Sequence, residues 1–238
     1  ARKAVSIAMT ASTIVWSIGA ATLAPMAAQA ASAGSLVKVA SNSEVFYLGA
    51  NSKIYSFPNE TTYKSWYTDF TSVQTISQSE LNSYSIAGTV TIRPGTKLIK
   101  ITAIPKVYAV EPNGGIRWIE SEAVAKALYG DTWAQRVVDV PSSLFPFYKE
   151  GSSINTNAYP TGSLVKSASS SDIYYVDGSS KRKVTSAGIS GNNLNSAFVV
   201  TAQDAVFNAL TMGTDITGTD SSIPTISGGS SVVVVPGG

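Results

Sequence analysis

The chain has 238 residues, with 17 Lys and Arg against 15 Asp and Glu, a formal net charge of +2, and neither cysteine nor histidine. Lack of Cys excludes disulfides and thiolate metal sites; lack of His removes the commonest general base, the usual zinc ligand and the base of a serine triad. Only 13% of the residues are charged, against roughly a quarter in soluble domains, and the basic ones form no stripe interleaved with aromatics, which argues against a nucleic-acid partner.

Arg2 and Lys3 open the chain, an uncharged run follows from Ala4 to Ala24, and then come Pro25 and Ala28-Gln29-Ala30. A positive start, an apolar centre and a small-x-small site read first as a secretory signal peptide. The run also has the length of an uncleaved membrane anchor, or of the core helix of a pilin-like filament subunit. All three readings place the rest of the chain outside the cytoplasm, with the membrane a partner only through residues 4–24. Residues 1–33 therefore stand apart as a hydrophobic N-terminal segment, expected to be helical.

The sequence Gly34-Ser35-Leu36-Val37-Lys38 recurs unchanged at Gly162–Lys166, and a degenerate copy, Leu98-Ile99-Lys100, lies between them. After each Lys, six residues lead to a strand-like quartet: Val45–Leu48, Val107–Val110 and Ile173–Val176. The aromatics Phe46, Tyr108 and Tyr174 sit at matched positions eight residues after Lys38, Lys100 and Lys166. Turn-rich stretches follow each quartet, and apolar runs on both sides of them predict β-hairpins. Asn59 and Ser121 are predicted N-caps of short helices over Glu60–Trp66 and Glu122–Tyr129, the second stopped by Gly130. Further on, Tyr67 and Asp69 match Tyr129 and Asp131, and Phe70 matches Trp133 with one gap. Each unit is expected to close on a helix-like stretch ending in Gly: Ser79–Gly88, Ser142–Gly151 and Gln203–Gly213.

The third unit reads as lacking the aromatic helix, because "SAGISGNNLNS" is too rich in Gly and Asn to be one. The fold expected is thus α+β and β-rich: three degenerate repeats of a β-hairpin plus short helices, preceded by the N-terminal hydrophobic helix. Its units are residues 34–94, 95–161 and 162–218, with 219–238 a Ser/Gly/Pro-rich linker or truncated tail.

The stretches around "VFYLGANSKIYSFPNETTYKSWYTDF", "RPGTKLIKITAIPKVYAVEPNGGIRWIESEAVAKALYG" and "DIYYVDGSSKRKV" resemble a repeated module in predicted secreted surface proteins of candidate-phyla (Patescibacteria/Parcubacteria-type) bacteria. That resemblance covers nearly the whole chain. It implies a cell-envelope or S-layer-like role, and carries no catalytic residues.

Little in the residues points to chemistry. Glu120 and Glu122 are acids close in sequence, of the kind a glycosidase pairs across a sugar, but they sit where a helix starts and acids are favoured anyway. Asp69 and Asp131 occupy matched repeat positions, which suits a turn or cap. Asp215 and Asp220 flank a short Ile-Thr-Gly-Thr loop that makes a weak Ca²⁺ candidate, lacking the acid spacing of an EF-hand. Tyr47, Tyr55, Trp66, Tyr108, Trp118 and Trp133 would make a sugar platform if exposed, though packing between units is the plainer reading. Lys38, Lys100 and Lys166 read as solvated strand positions or as partners of an intra-module carboxylate or carbonyl. Asn59-Glu60-Thr61 is a glycosylation sequon, with capping ranked above modification.

No catalytic residue, cofactor or firm metal site is expected. The function read from the sequence is that of a non-enzymatic exported surface protein, S-layer-like or a surface-display component, whose partners are other copies or envelope components. The alternatives are a pilin-like filament subunit and a cell-wall glycan-binding or glycan-cleaving protein.

Overall fold

Each copy of the Leu-Val-Lys segment becomes an inner strand of its own sheet, because its alternating side chains find apolar cover on both faces. The computed structural model describes residues 30–156, 158–226 and 232–233, so the expected N-terminal helix lies outside the described residues up to residue 29. In the first unit β1 (Leu36–Val39), β2 (Phe46–Leu48) and β3 (Lys53–Ser56) form an antiparallel meander. α1 (Glu60–Trp66) leads to β4 (Val73–Ile76), parallel to β1, and α2 (Gln78–Leu81) leads to β5 (Ser85–Val90), parallel to β3.

The second unit repeats this course with β6 (Leu98–Lys100), β7 (Tyr108–Val110), β8 (Gly115–Trp118), α3 (Glu122–Tyr129), β9 (Val137–Asp139) and β10 (Lys149–Glu150). A 3₁₀ turn at Phe145–Phe147 stands where α2 stood. The third unit follows with β11 (Leu164–Lys166), β12 (Ile173–Asp177), β13 (Ser180–Val184), α4 (Ser186–Gly191), β14 (Val200–Thr201), α5 (Asp204–Ala209) and β15 (Thr211–Met212). All three sheets share one strand order, and only the middle strand of each meander runs against the rest. β16 (Val232–Val233) adds a sixth, antiparallel strand to β5 of the first sheet. The fold is therefore α+β and strand-rich.

Local chemistry sets the helix starts. Asn59 Oδ1 accepts from Thr62 N–H at 2.8 Å and Ser121 Oγ from Val124 N–H at 3.3 Å, satisfying amides that an uncapped helix would leave open. Thr185 does the same for Gly188 N–H at 3.2 Å, and so starts α4. This corrects the expectation that the third unit has no helix here. Propensity is overridden because Gly188 lies where a Cβ would overlap the carbonyl oxygen of Ile216 and sit 2.9 Å from Val184 Cγ1. The closing stretches differ too: each holds a short helix or 3₁₀ turn and then the last strand of its unit, rather than a continuous helix.

Alternation along the inner strands decides what each face buries. Leu36 packs with Tyr63 and Trp66 of α1, while Val37, one residue on, packs with Phe46 and Leu81 on the other face. Leu98 faces Ala125 and Leu128 of α3, and Ile99 faces Tyr108 and Phe145. Leu164 faces Ile189 of α4, and Val165 faces Val206 of α5.

The units are stacked into one body. A single apolar cluster joins Leu128 and Tyr129 of the second unit to Val165, Val200 and Val206 of the third. Between the first two units, Thr61 and Thr62 of α1 meet Val138, Leu144 and Phe147 around a cavity of about 20 Å³, and Tyr148 OH accepts from Ile92 N–H at 3.1 Å. The first and third units meet at Arg93, which is 6% exposed. Its guanidinium lies 4.9 Å from the Trp66 ring and donates to the carbonyls of Asn192 and Asn193, while Asn193 Nδ2 donates to Trp66 O at 2.6 Å. After the third unit the chain adds Ile223 to that unit's core and Ile226 to the core of the first.

Candidate functional site

Every unit carries a cleft at the same place. Its walls are the residues just before the second strand of the meander, the end of the third strand with the helix cap, and a residue after the helix. In the first unit these are Glu44 and Val45, Phe57 to Glu60, Tyr63 and Phe70, around about 440 Å³. In the second they are Lys106 and Val107, Trp118 to Glu122, Ala125 and Trp133, around about 290 Å³. In the third they are Asp172 and Ile173, Lys183 to Ser186, Ile189 and Ser196, around about 480 Å³. The recurrence follows from the topology, since the meander turn and the helix N-terminus cannot close on each other at that end of the sheet.

What lines the clefts differs between units. Phe70 in the first, 44% exposed, and Trp133 in the second hold matched positions, and Ser196 stands there in the third. Phe70 is backed by Tyr63, stacked at 4.3 Å between centroids, and Lys64 Nζ lies 4.8 Å from the Phe70 ring. Trp118 lies beside Lys106, whose Nζ is 4.7 Å from its ring and 3.2 Å from Glu150. Carboxylates stand at the rim: Glu44 and Glu60 in the first cleft, Glu120 and Glu122 in the second. Glu120 accepts from Ser153 Oγ, and Glu122 pairs with Lys126 at 3.0 Å. In the third cleft Asp172 is neutralised by Lys183 at 2.8 Å, and no aromatic lines it.

The structure separates the six aromatics singled out in the sequence. Tyr47, Trp66 and Tyr108 are buried in cores, and Tyr55 packs against the first of these cores. Trp118 and Trp133 come together in one cleft. Phe46, Tyr108 and Tyr174 occupy one cross-strand position, opposite Val37, Ile99 and Val165.

The three repeated lysines also share a register, beside Thr75, Asp139 and Thr201 of the neighbouring parallel strand. Of these, Lys100 pairs with its neighbour's carboxylate, Asp139, at 3.4 Å.

The remaining acids are spread out. Asp69 accepts from Thr71 N–H at 2.9 Å as a turn-former, and these bonds with Thr71 hold its carboxyl below the usual range. Asp131 follows Gly130 on the surface of the second unit. Asp220 accepts from Ser222 and from Arg182, and its carboxyl is held at about 2 by the Ser222 hydrogen bonds and then by the guanidinium. Asp215 is exposed, and among the described residues no three acids gather where a cation would bind. The Ca²⁺ candidate loop is thus tied to Arg182 instead.

Sequence reasoning missed the cleft as a recurring feature and missed Phe57 and Tyr63 as cleft residues. The match of Phe70 to Trp133 was the signal that would have found it.

No family pattern matches the chain, and no curated protein matches it. Among solved structures it has a weak likeness to a chain from the periplasmic assembly of the ESX-5 inner membrane complex, with 10% identity and a TM-score of 0.21. The likeness covers 83% of this chain and 62% of that one, and at that score it carries no argument. No helix of the described residues is long and apolar enough to cross a membrane.

Proposed function

We propose that the chain is a non-enzymatic, exported cell-surface structural protein, S-layer-like or a surface-display component, in which three copies of one α+β module form a rigid unit. The observation that supports this most is the stacking: of three sheets with one strand order, the second and third share an apolar cluster and the first unit is tied to the third by Arg93, an arrangement suited to bearing load and presenting a surface. The signal-like start and the resemblance to secreted surface modules support the location. The pilin-like alternative rests on residues 4–24, outside the described residues. Intact mass and N-terminal sequencing of the protein recovered from native cells test the proposal. Recovery from the washed surface fraction with a start near Ala31 is expected, whereas recovery from the cytosol with residues 1–30 intact would overturn it.

A second reading, binding of cell-wall glycan, is favoured by the cleft that joins Trp118 and Trp133. Binding fits better than cleavage, because Glu120 and Glu122 are engaged by Ser153 and Lys126 rather than facing each other across a gap.

A further inference from the structure

We propose that the clefts of the first and second units are two binding sites for an uncharged glycan chain, and that the third cleft has been closed to it. The inference rests on the second reading above and makes it specific. One cleft with an aromatic wall would mean little, since aromatics mostly fill cores. Here the same cleft occurs three times, and its lining changes in a consistent way. Phe70 and Trp133 put an aromatic ring at the same corner of the first two, with Tyr63 or Trp118 nearby, while carboxylates stand at both rims.

A pyranose ring has an apolar face of C–H bonds and an equator of hydroxyl donors and acceptors. The face suits the ring of Phe70 or Trp133, and the hydroxyl donors suit the carboxylates. Charge disfavours the acidic polysaccharides. Glu44 and Glu60 line the first cleft, against one cation beside it, Lys64, whose Nζ lies 4.8 Å from the Phe70 ring. In the second, Lys106 is paired with Glu150 and Glu122 with Lys126, which leaves Glu120, held only by the neutral Ser153 hydroxyl, to set the sign of the rim. Uronate, sulfate or phosphate groups would meet like charge in both. In the third cleft Ser196 replaces the corner aromatic, and the Lys183–Asp172 pair holds the polar groups that a sugar would need.

The test is isothermal titration and tryptophan fluorescence of the full chain with cellohexaose and N-acetylchitohexaose as neutral probes and oligogalacturonate as the acidic one. At least one neutral hexasaccharide binds and the acidic one does not. The double substitution Phe70→Ala/Trp133→Ala weakens that binding about tenfold or more, as loss of a central contact does, while Asp172→Ser in the third cleft leaves it unchanged. Because Trp133 also packs on the core, a second variant, Glu44→Lys/Glu120→Lys, alters exposed positions only; it recruits the acidic probe. Failure of both neutral probes, equal binding of the acidic one, or binding that survives the Phe70/Trp133 substitution would overturn the inference. None of these outcomes bears on where the protein resides, which the surface-recovery experiment decides separately.

Discussion

Gly95 and Gly162, the glycines that lead into the second and third units, lie backbone against backbone. A Cβ on Gly95 would overlap the carbonyl carbon of Gly162, and a Cβ on Gly162 would fall 2.8 Å from the carbonyl oxygen of Pro94. Both residues also have positive φ, 73° and 99°, which a side chain disfavours. Gly95→Ala and Gly162→Ala are each expected to cost about 3 kcal/mol, from overlap plus backbone strain. Chemical denaturation of the two variants measures this. A cost of no more than about 1 kcal/mol, that of a side chain at positive φ alone, would mean that the two units do not meet there.

Arg93 carries the junction of the first and third units, with its charge buried against Trp66 and two carbonyls rather than a carboxylate. Arg93→Ala leaves the carbonyls of Asn192 and Asn193 without their donor and is expected to destabilise by about 3 kcal/mol. Arg93→Lys recovers little, because an ammonium cannot span both carbonyls and stack on the indole at once. Thermal melts of the pair check this: a lysine variant as stable as the parent would reduce Arg93 to a simple charge.

Lys181 closes the end of α5, donating to Phe207 O at 2.6 Å and Leu210 O at 2.8 Å with its ammonium 4.2 Å from the Phe207 ring. Lys181→Met keeps the stem and removes the cap, at an expected cost of about 1–3 kcal/mol. Amide exchange would then rise across Asp204–Met212 before the rest of the chain responds.

Ala is normally the better helix former, yet Gly188→Ala in α4 is expected to destabilise by about 1–3 kcal/mol, because the added methyl has no room beside Ile216 and Val184. A stabilised variant would show that the loop carrying Ile216 does not pack on α4 as described.

The pH dependence follows from groups at the two extremes. With no histidine, nothing titrates near neutrality through an imidazole. Burial pushes the Tyr148 phenol up to about 12, and burial also raises Tyr67, Tyr129, Tyr159 and Tyr175. Above the ordinary tyrosine value the unfolded chain loses these protons while the folded one keeps them. Stability is therefore full below pH ~10 and falls as the pH rises toward 12. Asp220 works the other way: its contribution is present above the ordinary carboxylate value and is lost as the pH falls toward 2. Melting temperature against pH should show a plateau from about 5 to 9 with a fall on each side. A fall inside the plateau would contradict the burial of these phenols.

The parts of the fold legible in the sequence were the local ones. Asn59 and Ser121 mark helix starts through side-chain geometry alone, and Gly130 marks an end. The Lys-to-aromatic spacing gives the first two strands of each meander, because hairpin register is set by neighbours in sequence. The parallel strands were not legible: β10, β14 and β15 are two residues each, and their partners lie more than thirty residues away. α4 was missed because its glycine serves tertiary contact with Ile216 rather than helix propensity.

The cleft was half legible. Trp118, Trp133 and Phe70 were in view as residues, but only the sheet order brings Phe57 to Tyr63 and Phe70, and Trp118 to Trp133. Arg93 gave no signal, since its partners, Asn192 and Asn193, lie about a hundred residues downstream.

The central claim is that the three sheets form one body. Calorimetry of the full chain, combined with denaturant unfolding followed through Trp66 in the first unit and through Trp118 and Trp133 in the second, tests it most directly. Stacked units that share cores predict one transition, with coincident probes and equal calorimetric and van't Hoff enthalpies. Two or three separate transitions, or Trp66 reporting unfolding at a different denaturant concentration from Trp118 and Trp133, would contradict it and leave three independent modules on a string.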